Sequence, residues 1–259
     1  NNAFEKPSMN FYMRDDLGGD PLRYAVIPNS PVTVHSDFRF RGGHNDVNPF
    51  IIDELARRSF VAMGNQGSLG VNTTLYINGA FKGIFNLVQH IRQEWLREAF
   101  KSDLDWDVLQ VGVPSDGDGI AYQEMFTFLR NNPQGVLANY QGMQARLDMT
   151  AFIDYLIQNI YTCTGDWPHN NWIAARERST TGKFRFITWD AEGSFGGFGL
   201  TVTSNNFVTN PANNGAPNAQ GSLVTGSAAA DSLTTAARIL YTLLRASPEF
   251  KLLFADRIQ

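Results

Sequence analysis

The chain has 259 residues, 43% of them apolar and 12% aromatic, which is enough to bury a full hydrophobic core and too apolar for wholesale disorder. A formal net charge of −4, with no long basic run, argues against a nucleic-acid groove and favours no anionic membrane surface. The single cysteine, Cys163, excludes an internal disulfide and a cysteine-rich zinc site, and no apolar run reaches the roughly 18 residues of a membrane span.

Residues 1 to 41 read as short extended pieces broken by Gly18-Gly19, Pro21, Pro28 and Pro31, ending in an alternating strand, Phe38-Arg39-Phe40-Arg41. After the turn Gly42-Gly43-His44-Asn45-Asp46, the spacing of Ile52, Leu55, Ala56, Ser59, Phe60 and Met63 predicts a helix over 51–63. Strands at 73–77 and 81–88 follow, joined by Asn78-Gly79, the dipeptide best suited to a two-residue turn with positive φ at both positions. Helical patterns occupy 92–100, 121–131 and 149–163. The last has Asp148 or Thr150 as N-cap and Phe152, Leu156, Ile160 and Cys163 as its buried stripe. A polar loop over 165–171 leads to strands near 172–177 and 183–189 around a Ser179–Gly182 turn. Residues 201–230, rich in Asn, Gly, Ala, Ser and Thr, read as a long loop, and helices near 231–246 and 248–259 close the chain.

The residues that carry chemistry lie around the second hairpin. Asp166 precedes Asn171 by five positions, on a loop between a buried helix and a strand. This is the Asp-x-x-x-x-Asn spacing by which a kinase catalytic loop sets a carboxylate beside the acceptor hydroxyl and an amide oxygen on a metal ion. Asp190 ends the following strand, where a kinase has its second metal-binding Asp. Element order also fits a kinase: strand, helix, two strands, connector, helices, catalytic loop, hairpin, metal Asp, helices. On that template Gln89-His90-Ile91 is the hinge that meets adenine, and Asp53 or Glu54 lies on the regulatory helix. Each residue also has a bland reading, since Asp166 or Asn171 alone could cap a turn and Trp189-Asp190 could start one. His169 reads as a surface loop histidine. Asp103, Asp105 and Asp107 begin like a calcium loop, but Val108 replaces its turn glycine and Pro114 its bidentate Glu. Gly64, Gly67 and Gly70 match no phosphate-binding loop and read as a helix-to-strand connection.

The stretches Phe4-Glu5-Lys6-Pro7, Phe40 to Asp46, Leu75 to Phe85, Asp166 to Asn171, Phe186 to Gly196 and Leu240 to Phe254 together resemble the CotH kinase family, bacterial spore-coat-protein-H-like atypical protein kinases. The resemblance implies an α+β, bilobal atypical protein-kinase-like fold. A small antiparallel β lobe at about 1–91 and a mostly helical lobe at 92–259 would form a single domain, expected to be a piece of a larger protein. It further implies ATP and Mg²⁺ as cofactors, with Mn²⁺ or Ca²⁺ as alternative ions. A Ser/Thr-rich protein segment would be the phosphorylated partner, in a secreted or cell-surface setting. Asp166 would be the catalytic residue, Asn171 and Asp190 the metal ligands, and Arg41 a phosphate contact whose alternative is a strand-end salt bridge.

The chain departs from the family in two places. Members usually carry a Gly/Arg/Lys-rich strand pair whose lysine is expected to reach the phosphates. Here the chain passes from Gly19 to Pro21 without it, so either that loop lies outside this sequence or the phosphate-binding part is reduced. Gln89 stands where members commonly have Glu. Three other readings follow: AMP transfer through the same site, a kinase-like adhesion or binding module, and a structural calcium site at Asp166, Asn171 and Asp190.

Overall fold

A computed structural model describes residues 6–43, 51–196 and 236–259 and shows antiparallel sheets combined with helices, an α+β arrangement. Strands β1 (Met9–Tyr12), β2 (Leu22–Arg23), β3 (Val34–His35) and β4 (Asp37–Arg41) precede helix α1 (Ile52–Ala62) and strands β5 (Gly70–Ile77) and β6 (Ala80–Val88). One sheet runs β1-β4-β6-β5, while β2 and β3 form a separate ribbon. The expected hairpin is present: β5 and β6 are joined by Asn78 and Gly79 at φ 50° and 78°, the left-handed pair that this turn needs.

Helix α2 (Gln93–Phe100) leads to strands β7 (Trp106–Gln110) and β8 (Val113–Asp116), and then to helices α3 (Ile120–Asn131), α4 (Leu137–Gln144) and α5 (Met149–Tyr161). Strands β9 (Trp172–Glu177) and β10 (Arg185–Thr188) and helices α6 (Ala236–Leu244) and α7 (Pro248–Ile258) complete the described chain. The second sheet runs β10-β9-β7-β8. Strands β7 and β8 and helix α4 were not anticipated. The strand β7 is fixed by pairing with β9, Trp106 opposite Glu177, a contact some seventy positions away that leaves no local periodicity. The turn expected at His44 to Asp46, the loop expected over 201–230 and the helix start expected at 231–235 lie outside the described residues.

Asp148 caps α5 as expected, its carboxylate accepting from the Ala151 N–H at 3.0 Å. That helix is buried on nearly every side, from Met149 through Asn159, and it organises the larger hydrophobic cluster together with Trp172, Phe186, Tyr122 and Leu240. A smaller cluster of Ile27, Phe38, Leu69 and Leu87 lies against the first sheet. Two side-chain expectations change. Helix α5 ends at Tyr161, so Cys163 is not on its buried stripe; it stands half-buried beyond the end, at φ 50°. The inward face of α1 is Asp53, Ala56, Arg57 and Phe60, with Leu55 exposed, because a paired arginine displaces the leucine the pattern favoured. No helix among the described residues is long and apolar enough to cross a membrane.

Candidate active site

The β9–β10 hairpin sets the frame. Trp172 pairs with Thr188, so Asn171, one residue before β9, and Asp190, two beyond β10, emerge at the same open end. The loop carrying Asp166 is pinned beside them. Trp167 is fully buried and donates its indole N–H to the Tyr155 hydroxyl at 2.7 Å. The Gly165 N–H donates to the Gly193 carbonyl at 3.1 Å and the Phe195 N–H to that of Thr162 at 2.8 Å. A chain of hydroxyls, Thr162, Thr164 and Ser194, links the same two loops at 2.9 Å per step.

Asp166, Asn171 and Asp190 share a further property: their φ angles are 61°, 59° and 54°. The left-handed region is costly for residues with a Cβ, though Asp and Asn tolerate it best. Three such residues at one end of one hairpin mark a backbone held by its surroundings, which is the usual condition of a working site. They make no hydrogen bond to one another among the described residues. Asp166 is nearly half exposed and lies 3.5 Å from His169 Nε2. The contact with His169 outweighs partial burial and holds the Asp166 carboxyl below the usual aspartate value.

Asp190 is joined to the first sheet through Arg41. The Arg41 guanidinium contacts Asp190 Oδ1, Glu192 at 3.0 Å and, through Nε, Asp53 on α1 at 3.4 Å. Asp53 and Glu54 both stand in the first turn of α1, and the one that meets Arg41 is Asp53. Its Oδ1 also accepts from the Ala191 N–H at 2.8 Å and its Oδ2 from Arg57 at 3.1 Å. Glu54 instead holds Arg57, Arg58 and the Gly70 N–H. Of the two alternatives for Arg41, a phosphate contact and a strand-end salt bridge, the structure shows the salt bridge. Burial disfavours its charge, but Asp53, Asp190 and Glu192 reverse that and raise its pKa.

Burial alone would raise the Asp53 pKa too, but Arg41, Arg57 and the Ala191 N–H hold it below the ordinary value of 3.8. A depressed carboxyl pKa contributes stability above the unfolded-state pKa and loses it as pH falls through the folded-state pKa. The stability gap between wild type and Asp53→Asn is therefore expected to hold from about pH 7 to about pH 5 and to narrow toward about pH 3. Denaturant midpoints across that range check it; a gap already closing at about pH 6 would overturn the assignment.

Two clefts meet here. One, of about 340 Å³, is lined by Ser8, Asn10, Arg39, Arg41, Gly43, Asp190 and Glu192. The other, of about 230 Å³, includes His90, Ile91, Arg92, Ile173 and Trp189 in its wall and shares Asn10 and Arg39 with the first. His90 and Ile91 of the segment expected to be a hinge thus line a cleft that shares two wall residues with the one at Asp190. Among the described residues, the backbone groups of His90 and Ile91 make no hydrogen bond. A larger open hollow of about 590 Å³ lies at the turn end of the hairpin. Its walls are taken up by Asp107 with Arg178 at 2.7 Å and Arg176 at 3.6 Å, so Asp107 serves an ion-pair network.

The donor set suits a hard cation that keeps water and phosphate ligands. Arg41 takes Asp190 Oδ1, while Asp190 Oδ2 and the Asn171 amide oxygen have no partner among the described residues. Mg²⁺ needs only one or two protein carboxylates when phosphates supply other ligands. No cluster of three His, Cys, Asp or Glu forms a self-sufficient metal cage among the described residues. Glu192, Arg39, Asn10 and Trp189 belong to the site and were not singled out from sequence. The alternation that puts Arg39 on the same strand face as Arg41 was the available signal.

The family described as CotH kinase protein matches residues 24–259, nearly the whole chain. A search among curated proteins found no significant match.

Proposed function

This chain belongs to the CotH kinase family, and from that premise we propose that it transfers the terminal phosphoryl group of Mg-ATP to serine or threonine hydroxyls of secreted or surface proteins. The observation that carries the reading is a pair of clefts sharing Asn10 and Arg39, one lined by His90 and Ile91 and the other by Asp190, with the Asp166 loop bonded to the Asp190 loop. A bilobal reading, with the first sheet and α1 as one lobe and residues 92–259 as the other, draws on the small cluster of Ile27, Phe38, Leu69 and Leu87 at the first sheet, while Phe60 of α1 and Val88 of β6 join the larger cluster and would form the seam between the lobes. It makes β6-to-α2 the hinge and the Arg41–Asp53 pair the strand-to-helix ion pair that kinases build with lysine and glutamate.

In this reading adenine lies against His90 and Ile91, whose backbone groups supply the donor and acceptor. Asp190 and Asn171 would hold Mg²⁺, which when bound would supply neutralisation of the phosphate charge. Asp166 orients the acceptor hydroxyl and takes its proton. The hydroxyl oxygen bonds to the γ-phosphorus as that atom's bond to the β–γ bridging oxygen breaks, and ADP leaves. An ionised Asp166, kept so by His169, is the form this step requires.

The test is label transfer to a Ser/Thr-rich peptide from ATP labelled in the γ or in the α phosphate. Transfer from the γ position alone supports the reading, and transfer of the α label with AMP gained would replace it by nucleotidyl transfer. A second reading, a kinase-like binding module, is favoured by one observation: Arg41 is already shared by three carboxylates in a chain that lacks the family's lysine segment. Absence of both label transfer and Mg-ATP binding would favour it.

A further inference from the structure

A nucleotide spanning these two clefts must run its phosphates past β4, and few cations are placed to meet them. Residues 1–5, 44–50 and 197–235 contain no lysine or arginine, so every candidate lies among the described residues. Arg39, Arg41 and Arg92 line the two clefts. Arg41 is committed to Asp53, Asp190 and Glu192. Arg92 is committed to Asp116 through two bonds of 2.6 and 2.7 Å. A guanidinium whose charge is already offset by carboxylates is attracted less to a phosphate.

Arg39 differs from both. It has no carboxylate within salt-bridge distance among the described residues. Its Nε donates to the Asn10 side-chain oxygen at 3.0 Å, and its guanidinium lies over the buried Trp189 ring, 5.0 Å from the centroid. Nη1 and Nη2 have no partner among the described residues, and neither is a buried atom lacking one. Arg41 lies over the same ring at 5.4 Å, so the contact with the indole is shared and the lack of a carboxylate partner among the described residues is what sets Arg39 apart. A cation held against an indole face while its other donors stay free has a lower ordering cost for gripping an anion. Arg39 is also a wall shared by both clefts, between the His90–Arg92 end and the Asp190 end.

We propose that Arg39, rather than Arg41, is the cation that grips the nucleotide's phosphates and stands in for the family lysine missing here. The inference rests on the nucleotide-binding reading of the cleft. Arg41 then serves as a positioning residue that ties α1 to the Asp190 loop.

Calorimetry on the full chain with metal-free ADP and with adenosine separates the terms. Wild type is expected to bind ADP more tightly than adenosine. Arg39→Gln should lower ADP affinity by about 10- to 100-fold, the worth of a charge-assisted contact, and leave adenosine affinity unchanged, with Arg39→Lys recovering part of the loss. ADP affinity equal to wild type in Arg39→Gln would overturn the proposal. So would equal losses for ADP and adenosine, which would mark Arg39 as packing for Trp189 and Asn10. A measurement on the unaltered protein covers the case in which the variant does not fold. Phenylglyoxal modification of Arg39, located by mass spectrometry, should fall with ADP and not with adenosine, and equal modification would overturn the proposal. Wild type that binds neither ligand, even with Mg²⁺ and ATP, would remove the nucleotide reading and this inference with it. Wild-type binding that is indifferent to Arg39 would remove only the inference.

Discussion

Asp190→Asn is expected to lower phosphoryl transfer from Mg-ATP on the order of a hundred- to a thousandfold while leaving the melting temperature close to that of wild type. Asparagine is the informative substitution because Asp190 sits at φ 54°, a conformation that Asn tolerates and Ala adopts at a cost of about 1 kcal/mol. The change removes the negative charge that Mg²⁺ requires and keeps the backbone. It weakens one of three carboxylate contacts of Arg41 and leaves Asp53 and Glu192 to hold it. Asp166→Asn, at φ 61°, gives the complementary result. Transfer should fall by about 10²–10⁴ with Mg-ATP affinity retained, because Asp166 serves the acceptor rather than the nucleotide. Both rates are read from initial velocities of peptide labelling. Wild-type velocity in Asp190→Asn would remove Asp190 from the site, and loss of nucleotide binding in Asp166→Asn would remove the role assigned to Asp166.

Arg57→Met is expected to be the most damaging of these substitutions for stability, at a cost of about 3–5 kcal/mol and on the order of ten degrees in melting temperature. Arg57 is completely buried and satisfied from four directions: Asp53 at 3.1 Å, Glu54 at 2.7 Å, Asn86 at 2.9 Å and the Ser68 carbonyl at 2.7 Å. Methionine fills much of the volume but strands those partners. The loss comes chiefly from leaving them unpaired, since a buried ion pair as a whole contributes little net stability. Asp53 keeps Arg41 and the Ala191 N–H, so the Asp190 loop should be displaced less than α1 is loosened. Hydrogen exchange should therefore rise across 52–62 and little at 190–193. Unchanged melting, or exchange rising equally at both segments, would contradict this partition.

Much of the layout was legible because it is encoded locally. Asn78-Gly79 can serve almost nothing but a tight left-handed turn, so the β5–β6 hairpin followed from two residues. The period of Phe152 and Leu156 with the cap at Asp148 defined α5, and the alternation of Phe184 and Phe186 located β10, although its bonded span is shorter than the pattern. The strand β7 was not legible, since its reason for being extended is β9, far along the chain. Cys163 was misplaced because apolar spacing continues past Tyr161, where the backbone turns left-handed. The helical spacing places Leu55 inward, and the fold leaves it exposed and buries Arg57 instead, because it supplies Asp53, Glu54 and Asn86 as partners.

The same division runs through the site. By itself the sequence determined which residue types stand at the ends of the β9–β10 hairpin and in what order, because spacing along one loop and one hairpin is a property of the chain. It determined the family as well, since those motifs spread over nearly the whole length. Only the tertiary structure decided how the charges are shared. It brings β4 and α1 against the Asp190 loop, commits Arg41 to Asp53, Asp190 and Glu192, and leaves Arg39 over the Trp189 ring in the cleft wall with no carboxylate partner among the described residues. Two arginines one pleat apart are equivalent in sequence. They differ in the fold because ion pairing depends on distances of a few ångströms between segments some 150 positions apart.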